Sequence, residues 1–175
     1  MRYENQWRLV RLDVEYFRLL KYGAVQPDEW EILLKRYEEY VGKQGATALT
    51  LSRMAVLASG IKDFAKASSF AKDGLRATDS WRFSRILVMA YYSLGKYNEA
   101  IESFRHAYAR NPDVFSQPDL MFSAAQSYAF MGEHELAKAT LAALAKARPD
   151  VEASSKYESV VKYIFLIHNK NEDAH

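Results

Sequence analysis

The sequence predicts an all-α chain of antiparallel helix pairs, and three observations carry that expectation. Seven Gly and four Pro in 175 residues leave room for few turns, so the elements must be few and long. Apolar residues near both ends of the chain form stripes at about 100° per residue, the period of a helix. A spacing pattern recurs with a unit of roughly 34 residues, the length of one helix–turn–helix.

The first helix, Tyr3–Lys21, carries apolar residues on two sides. Trp7, Val10, Val14 and Phe17 form one stripe; Leu9, Leu12, Tyr16, Leu19 and Leu20 fall roughly opposite, with Arg8, Arg11, Glu15 and Arg18 in a gap between them. A helix apolar on two sides packs between two surfaces. Leu12, Tyr16 and Leu19 are spaced as rungs of one seam, which faces either the next helix of this chain or a second copy, giving a homodimer. The next helix, Pro27–Val41, opens with Pro27, Asp28 and Glu29, which suit a first helical turn, and Gly42 and Gly45 close it.

Helices Ala46–Ser59, Asp63–Ala77, Ser80–Leu94, Tyr97–Arg110, Asp119–Met131 and His134–Ala147 follow from the repeat. Gly95 is followed by Ala100, Phe104, Ala107 and Pro112; Gly132 by Ala137, Leu141, Leu144 and Pro149, at identical offsets. Tyr91 and Tyr128 stand four residues before each Gly. An earlier copy places Lys62 at the Gly position and Ala67 at the Ala position, with Ala71 and Gly74 in place of the later residues. Each position has a physical reason. Gly ends the first helix where φ turns positive. The Ala is small because two helices cross there, the large residue fills the adjoining groove, and the Pro bars continuation of the second helix. The longest break, Asn111 to Pro118, contains two prolines. A last helix, Val151–Asn169, presents Tyr157, Val160, Val161, Ile164 and His168 as a cover for the final exposed face, leaving Tyr163, Leu166 and Ile167 partly off that stripe.

This offset series resembles the tetratricopeptide repeat family over about 100 residues. The resemblance implies a right-handed superhelix of antiparallel helix pairs: an N-terminal helical hairpin over 1–45, three repeats over 46–150 (48–80, 81–114 and 118–150), and a C-terminal capping helix with a short tail over 151–175, one domain overall. It also implies a concave groove, lined by the first helix of each repeat, that holds an extended peptide or partner helix. The inward positions are Leu49, Ser52 and Val56 in the first repeat, Arg82, Arg85, Met89 and Tyr92 in the second, and Phe122, Gln126 and Phe130 in the third. The family's clamp for a C-terminal carboxylate uses Lys, Asn and Arg at several of these places. This chain has Ser52, Val56, Met89 and Phe122 there, so that activity is not implied.

Composition narrows function by exclusion. The chain is 49% hydrophobic with a net charge of +2, which excludes disorder and disfavours a nucleic-acid binder driven by bulk charge. Residues 46–114 are net basic and 115–175 net acidic. No cysteine is present, which removes disulfides, thiolate metal sites and a cysteine nucleophile. His106, His134, His168 and His175 share no metal-ligand spacing; His134 reads as a solvated turn residue and His106 as exposed. No phosphate loop or nucleophile elbow appears, so neither catalysis nor a cofactor is expected. The polar N-terminus and the short apolar run 160–167 give no signal peptide or membrane span, and a cytoplasmic protein is expected. The leading expectation is a protein-binding module, an adaptor or chaperone with a protein or peptide partner. One alternative is a chaperone similar in layout to those of type III secretion translocators, another a fixed subunit of a larger assembly.

Overall fold

The computed structural model describes residues 2–26 and 28–172, and every element in them is helical. Pro27, His175 and the His168 side chain lie outside the described residues. Ten α-helices follow in order: α1 (Arg2–Tyr22), α2 (Glu29–Gln44), α3 (Ala48–Gly60), α4 (Phe64–Ala77), α5 (Trp81–Ser93), α6 (Tyr97–Arg110), α7 (Pro118–Phe130), α8 (His134–Ala147), the single turn α9 (Pro149–Glu152) and α10 (Ser155–Glu172). They form two compact units, 1–79 and 80–175.

The turn inside each helix pair is the same structure made three times. Gly95 and Gly132 sit at φ 70° and 78°, as their role as helix terminators requires. Lys62, where the pattern loses its Gly, adopts φ 61° as well. The next residue then donates its backbone N–H five positions back: Asp63 to Ala58, Lys96 to Tyr91, Glu133 to Tyr128, each at 2.9 Å. This bond absorbs a carbonyl that the helix end leaves without a partner. The small residues at the crossings, Ala67, Ala100 and Ala137, are all fully buried, and Phe104 and Leu141 are buried beside them.

In the first unit, α1 packs on α2, α2 on α3 and α3 on α4. Leu12, Tyr16 and Leu19 of α1 are buried, as are Leu33, Leu34 and Tyr37 of α2. Polar ties run between the two helices: Arg18 to Glu29 at 2.9 Å, Arg36 to Glu15, and Asn5 to Gln44 at 3.1 Å. The reading of Leu12, Tyr16 and Leu19 as an oligomer seam is therefore corrected. Burial against this chain's own helices leaves the three side chains no surface for a partner. The outward stripe is the other one, with Trp7 62% and Val14 65% exposed.

In the second unit, α5 packs on α6 and α7, α7 on α8, and α10 returns onto α7. One core spans Val88, Ile101, Phe104, Leu120, Met121, Leu141, Leu144, Val160 and Ile164, with Trp81 packed at its margin. Two local features depart from expectation. Within the break at 111–118, residues Pro112–Ser116 form a 3-10 turn started by the Asn111 side chain, which accepts from the Asp113 N–H at 3.2 Å. The single helix expected from Val151 is broken at Ala153–Ser154. There Ser154 Oγ accepts from the Tyr157 N–H at 3.2 Å and starts α10 afresh.

Candidate functional site

The residues assigned to an inward groove divide between the two units. In the first, Ser52 and Val56 of α3 are half-buried and Leu49 is exposed. The chemistry on this helix belongs to Arg53, which the groove pattern did not pick out. Its guanidinium stands 4.5 Å from the Tyr16 ring centroid and 4.7 Å from that of Phe17, and its Nε lies 3.4 Å from Asp13. Tyr37 donates to the same carboxylate at 2.5 Å. Burial, then this bond to Asp13, pushes the Tyr37 phenol well above its ordinary pKa. Asp13, Tyr37 and Arg53 thus form a polar node joining α1, α2 and α3, a structural device rather than an open site.

In the second unit, α5 presents Arg82, Arg85, Met89 and Tyr92 at spacings of three and four, hence along one side. Arg82 is exposed and the other three are half-buried. An aromatic run begins at the last turn of α5. Tyr92 lies 6.1 Å from Tyr97, which stacks on Phe130 with centroids 4.2 Å and planes 5° apart; Phe130 in turn meets Tyr163 edge-on at 5.7 Å. Burial, then the nearby phenols of Tyr163 and Tyr97, raise the Tyr92 pKa. Each such ring pair adds about 0.5–1.5 kcal/mol beyond its buried area, so this end of the helix pairs is held rigidly.

The α7 residues need a correction. Phe122 is buried, 3% exposed, because α10 covers it: Tyr157 meets its ring at 6.4 Å, and Lys156 Nζ stands 5.3 Å from the centroid while pairing with Asp119 at 2.5 Å. Phe130 is half-buried between Tyr97 and Tyr163, and Gln126 is half-buried between the two Phe positions. The capping helix therefore occupies much of the α7 face assigned to a partner, and the surface left open is that of α5. Tyr97 and Tyr163 went unrecognised as members of this cluster. The signal in the sequence was Tyr163 standing off the α10 stripe.

Two histidines are also corrected. His106 is half-buried, its Nδ1 2.7 Å from Ser84 Oγ. His134 opens α8, half-buried, and with Lys138, Leu141, Tyr157, Val161 and Phe165 lines an apolar cleft of about 310 Å³ between α8 and α10. Among the described residues no group of three or more His, Asp or Glu is placed to hold a metal, and no helix is long and apolar enough to cross a membrane.

Residues 91–158 match the tetratricopeptide repeat family, and the chain has the helical-repeat solenoid fold of solved tetratricopeptide-repeat structures. It is similar in fold to a point mutant of MamA, at a TM-score of 0.70 and 12% identity over 98% of this chain and 93% of that one. It is similar also to TTC0263, a thermophilic TPR protein of Thermus thermophilus, at a TM-score of 0.64 and 18% identity over 93% and 81% of the two chains. YrrB, described as a TPR protein with an unusual peptide-binding site, matches at 0.59 and 15% identity over 81% and 79%. No curated protein matches by sequence.

Proposed function

We propose that this protein is a non-enzymatic interaction module that holds a partner peptide or helix on the α5 surface of its second unit. The observation that carries this reading is the side of α5 bearing Arg82, Arg85, Met89 and Tyr92, with Gln126 and Phe130 on the neighbouring α7. It joins two cations to an apolar and aromatic end on a scaffold braced by stacked rings. Neither arginine has a hydrogen-bond or ion-pair partner among the described residues. A guanidinium with open donors takes a carboxylate in two parallel bonds, and a half-buried Met beside a Tyr takes an apolar side chain. The partner chemistry that fits is a segment carrying an acidic and an apolar residue. The repeat family supports the reading, as does the likeness in fold to YrrB with its peptide-binding site. An adaptor or chaperone role, including that of a secretion chaperone, follows from which partner is held.

The test compares affinity capture from the native host by the parent chain and by Arg82→Glu/Arg85→Glu, with helicity checked by circular dichroism. A protein retained by the parent and lost from an equally helical variant, then shown to bind directly as a purified segment, supports the site. Equal retention by both removes it.

A further inference from the structure

The outer face of α1 carries a pattern that the fold uses only at Phe17, whose ring meets Arg53. Tyr3, Trp7, Val10, Val14 and Phe17 follow one another at spacings of 4, 3, 4 and 3, the a/d seam of a coiled coil. All five are exposed, Tyr3 at 79% and even the least open, Val10, at 48%. The seam runs about 21 Å along the helix, while the opposite side of α1 is already buried.

We infer that α1 pairs with α1 of a second copy of this chain, antiparallel, about a two-fold axis level with residue 12. The self-complementarity of the seam argues for this occupant. In that register Trp7 meets Phe17 of the other copy, and Val10 meets Val14, so the small β-branched residues lie at the centre, where the helices approach closest, and the rings close both ends. The charges beside the seam match as well. Glu4 comes within about two residues of level with Arg18 and Arg8 within about one of Glu15, twice each by symmetry, against like pairs of Arg11 and of Asp13 near the axis. Arg18 and Glu15 have partners on α2 yet keep 40% and 39% of their side chains exposed, so both can share a second one. Neither Glu4 nor Arg8 has an ion-pair partner among the described residues. The five exposed side chains offer roughly 600 Å² per copy, hence at most ~1,200 Å² in all when fully covered, the lower edge of a stable interface. A two-fold axis closes on a pair.

Light scattering coupled to size exclusion reads the mass of the parent and of Val10→Asp/Val14→Asp. Both valines are open to solvent, so the variant keeps its helicity and melting profile. The parent is expected at twice the chain mass and the variant at the single-chain mass. A monomeric parent at high micromolar concentration overturns the pairing, as does a variant that remains dimeric. Orientation is read separately, since the chain has no cysteine of its own. Mixing Glu4→Cys with Arg18→Cys chains and adding a short bismaleimide should cross-link one chain of each kind, with little product from either alone. Cross-linking of Glu4→Cys to itself would overturn the antiparallel register.

Discussion

Gly60, the last residue of α3, lies under the indole of Trp30 on α2. A Cβ at Gly60 would stand 2.6 Å from Trp30 Cε3, 2.9 Å from Cζ3 and 3.1 Å from Cδ2. Carbon atoms rest at about 3.5–4.0 Å, so Gly60→Ala asks a rigid, half-buried ring to withdraw by roughly 1 Å. Two effects compete. Alanine favours the helix over glycine by at most ~1 kcal/mol, less at a helix end. Overpacking costs about 1–3 kcal/mol. The clash wins, and a net loss of about 1–2 kcal/mol is expected.

Urea unfolding followed by circular dichroism measures that loss as a lower midpoint at unchanged slope. The background Trp30→Leu isolates the cause, because a flexible side chain yields where the indole cannot. There Gly60→Ala should be neutral or stabilising, a coupling of about 1–3 kcal/mol between the two sites. A parent-background Gly60→Ala as stable as the parent, or an equal loss in both backgrounds, would refute the account of why this position is glycine.

Lys62→Gly should stabilise the chain by about 0.5–1 kcal/mol, since a lysine at φ 61° bears strain that glycine lacks; the midpoint of urea unfolding checks it, with Lys62→Ala as the control that keeps the strain. Tyr37→Phe should cost about 1.5–3 kcal/mol at neutral pH by removing the donor to the Asp13 carboxylate. It should also flatten the alkaline limb of stability. The folded Tyr37 phenol has a pKa above its unfolded value near 10, so its contribution is complete below pH 10 and is lost as pH rises beyond it; a pH series of unfolding midpoints reads the difference between the two chains.

The repeat was legible because its positions are set locally. The bounds of α6 and α8 follow from Gly95 and Gly132 before them and Pro112 and Pro149 after them, and the resemblance led to the fold that the family match and the solved structures show. Even the degraded copy holds, since Lys62 takes the glycine conformation once the helices on both sides demand it. What escaped was tertiary. Counting offsets identifies Phe122 as the inward position of its helix, and no local rule says that a helix starting 33 residues later at Ser155 will return to cover it. The same holds for Tyr97 and Tyr163, which are ordinary helix residues until Phe130 is placed between them. The break at Ser154 had a local signal, a serine able to cap a new helix, obscured by the apolar stripe that continues past it.

Helical repeats bury each face against a neighbour, so the two ends need covers that are polar outside. In the second unit α10 meets that need in part: its inner side seats Tyr157 and Tyr163 on α7, and its outer side carries Lys162 paired with Glu158. In the first unit α1 covers α2 with Leu12, Tyr16 and Leu19, but its outer side is not polar. A helix serving only as a cap would place Lys, Glu or Gln at positions 7, 10, 14 and 17, where this chain has Trp, Val, Val and Phe. Packing of this chain uses only Phe17 among them, beneath Arg53, and all four stand 48% or more exposed. Trp and Phe at exposed helical positions add nothing to helix propensity over Lys or Glu, and a contiguous apolar strip in water favours association. The inner stripe of α1 thus answers to α2, while the outer one is left open by the described residues except where Arg53 meets Phe17, the arrangement that the proposed pairing of α1 accounts for.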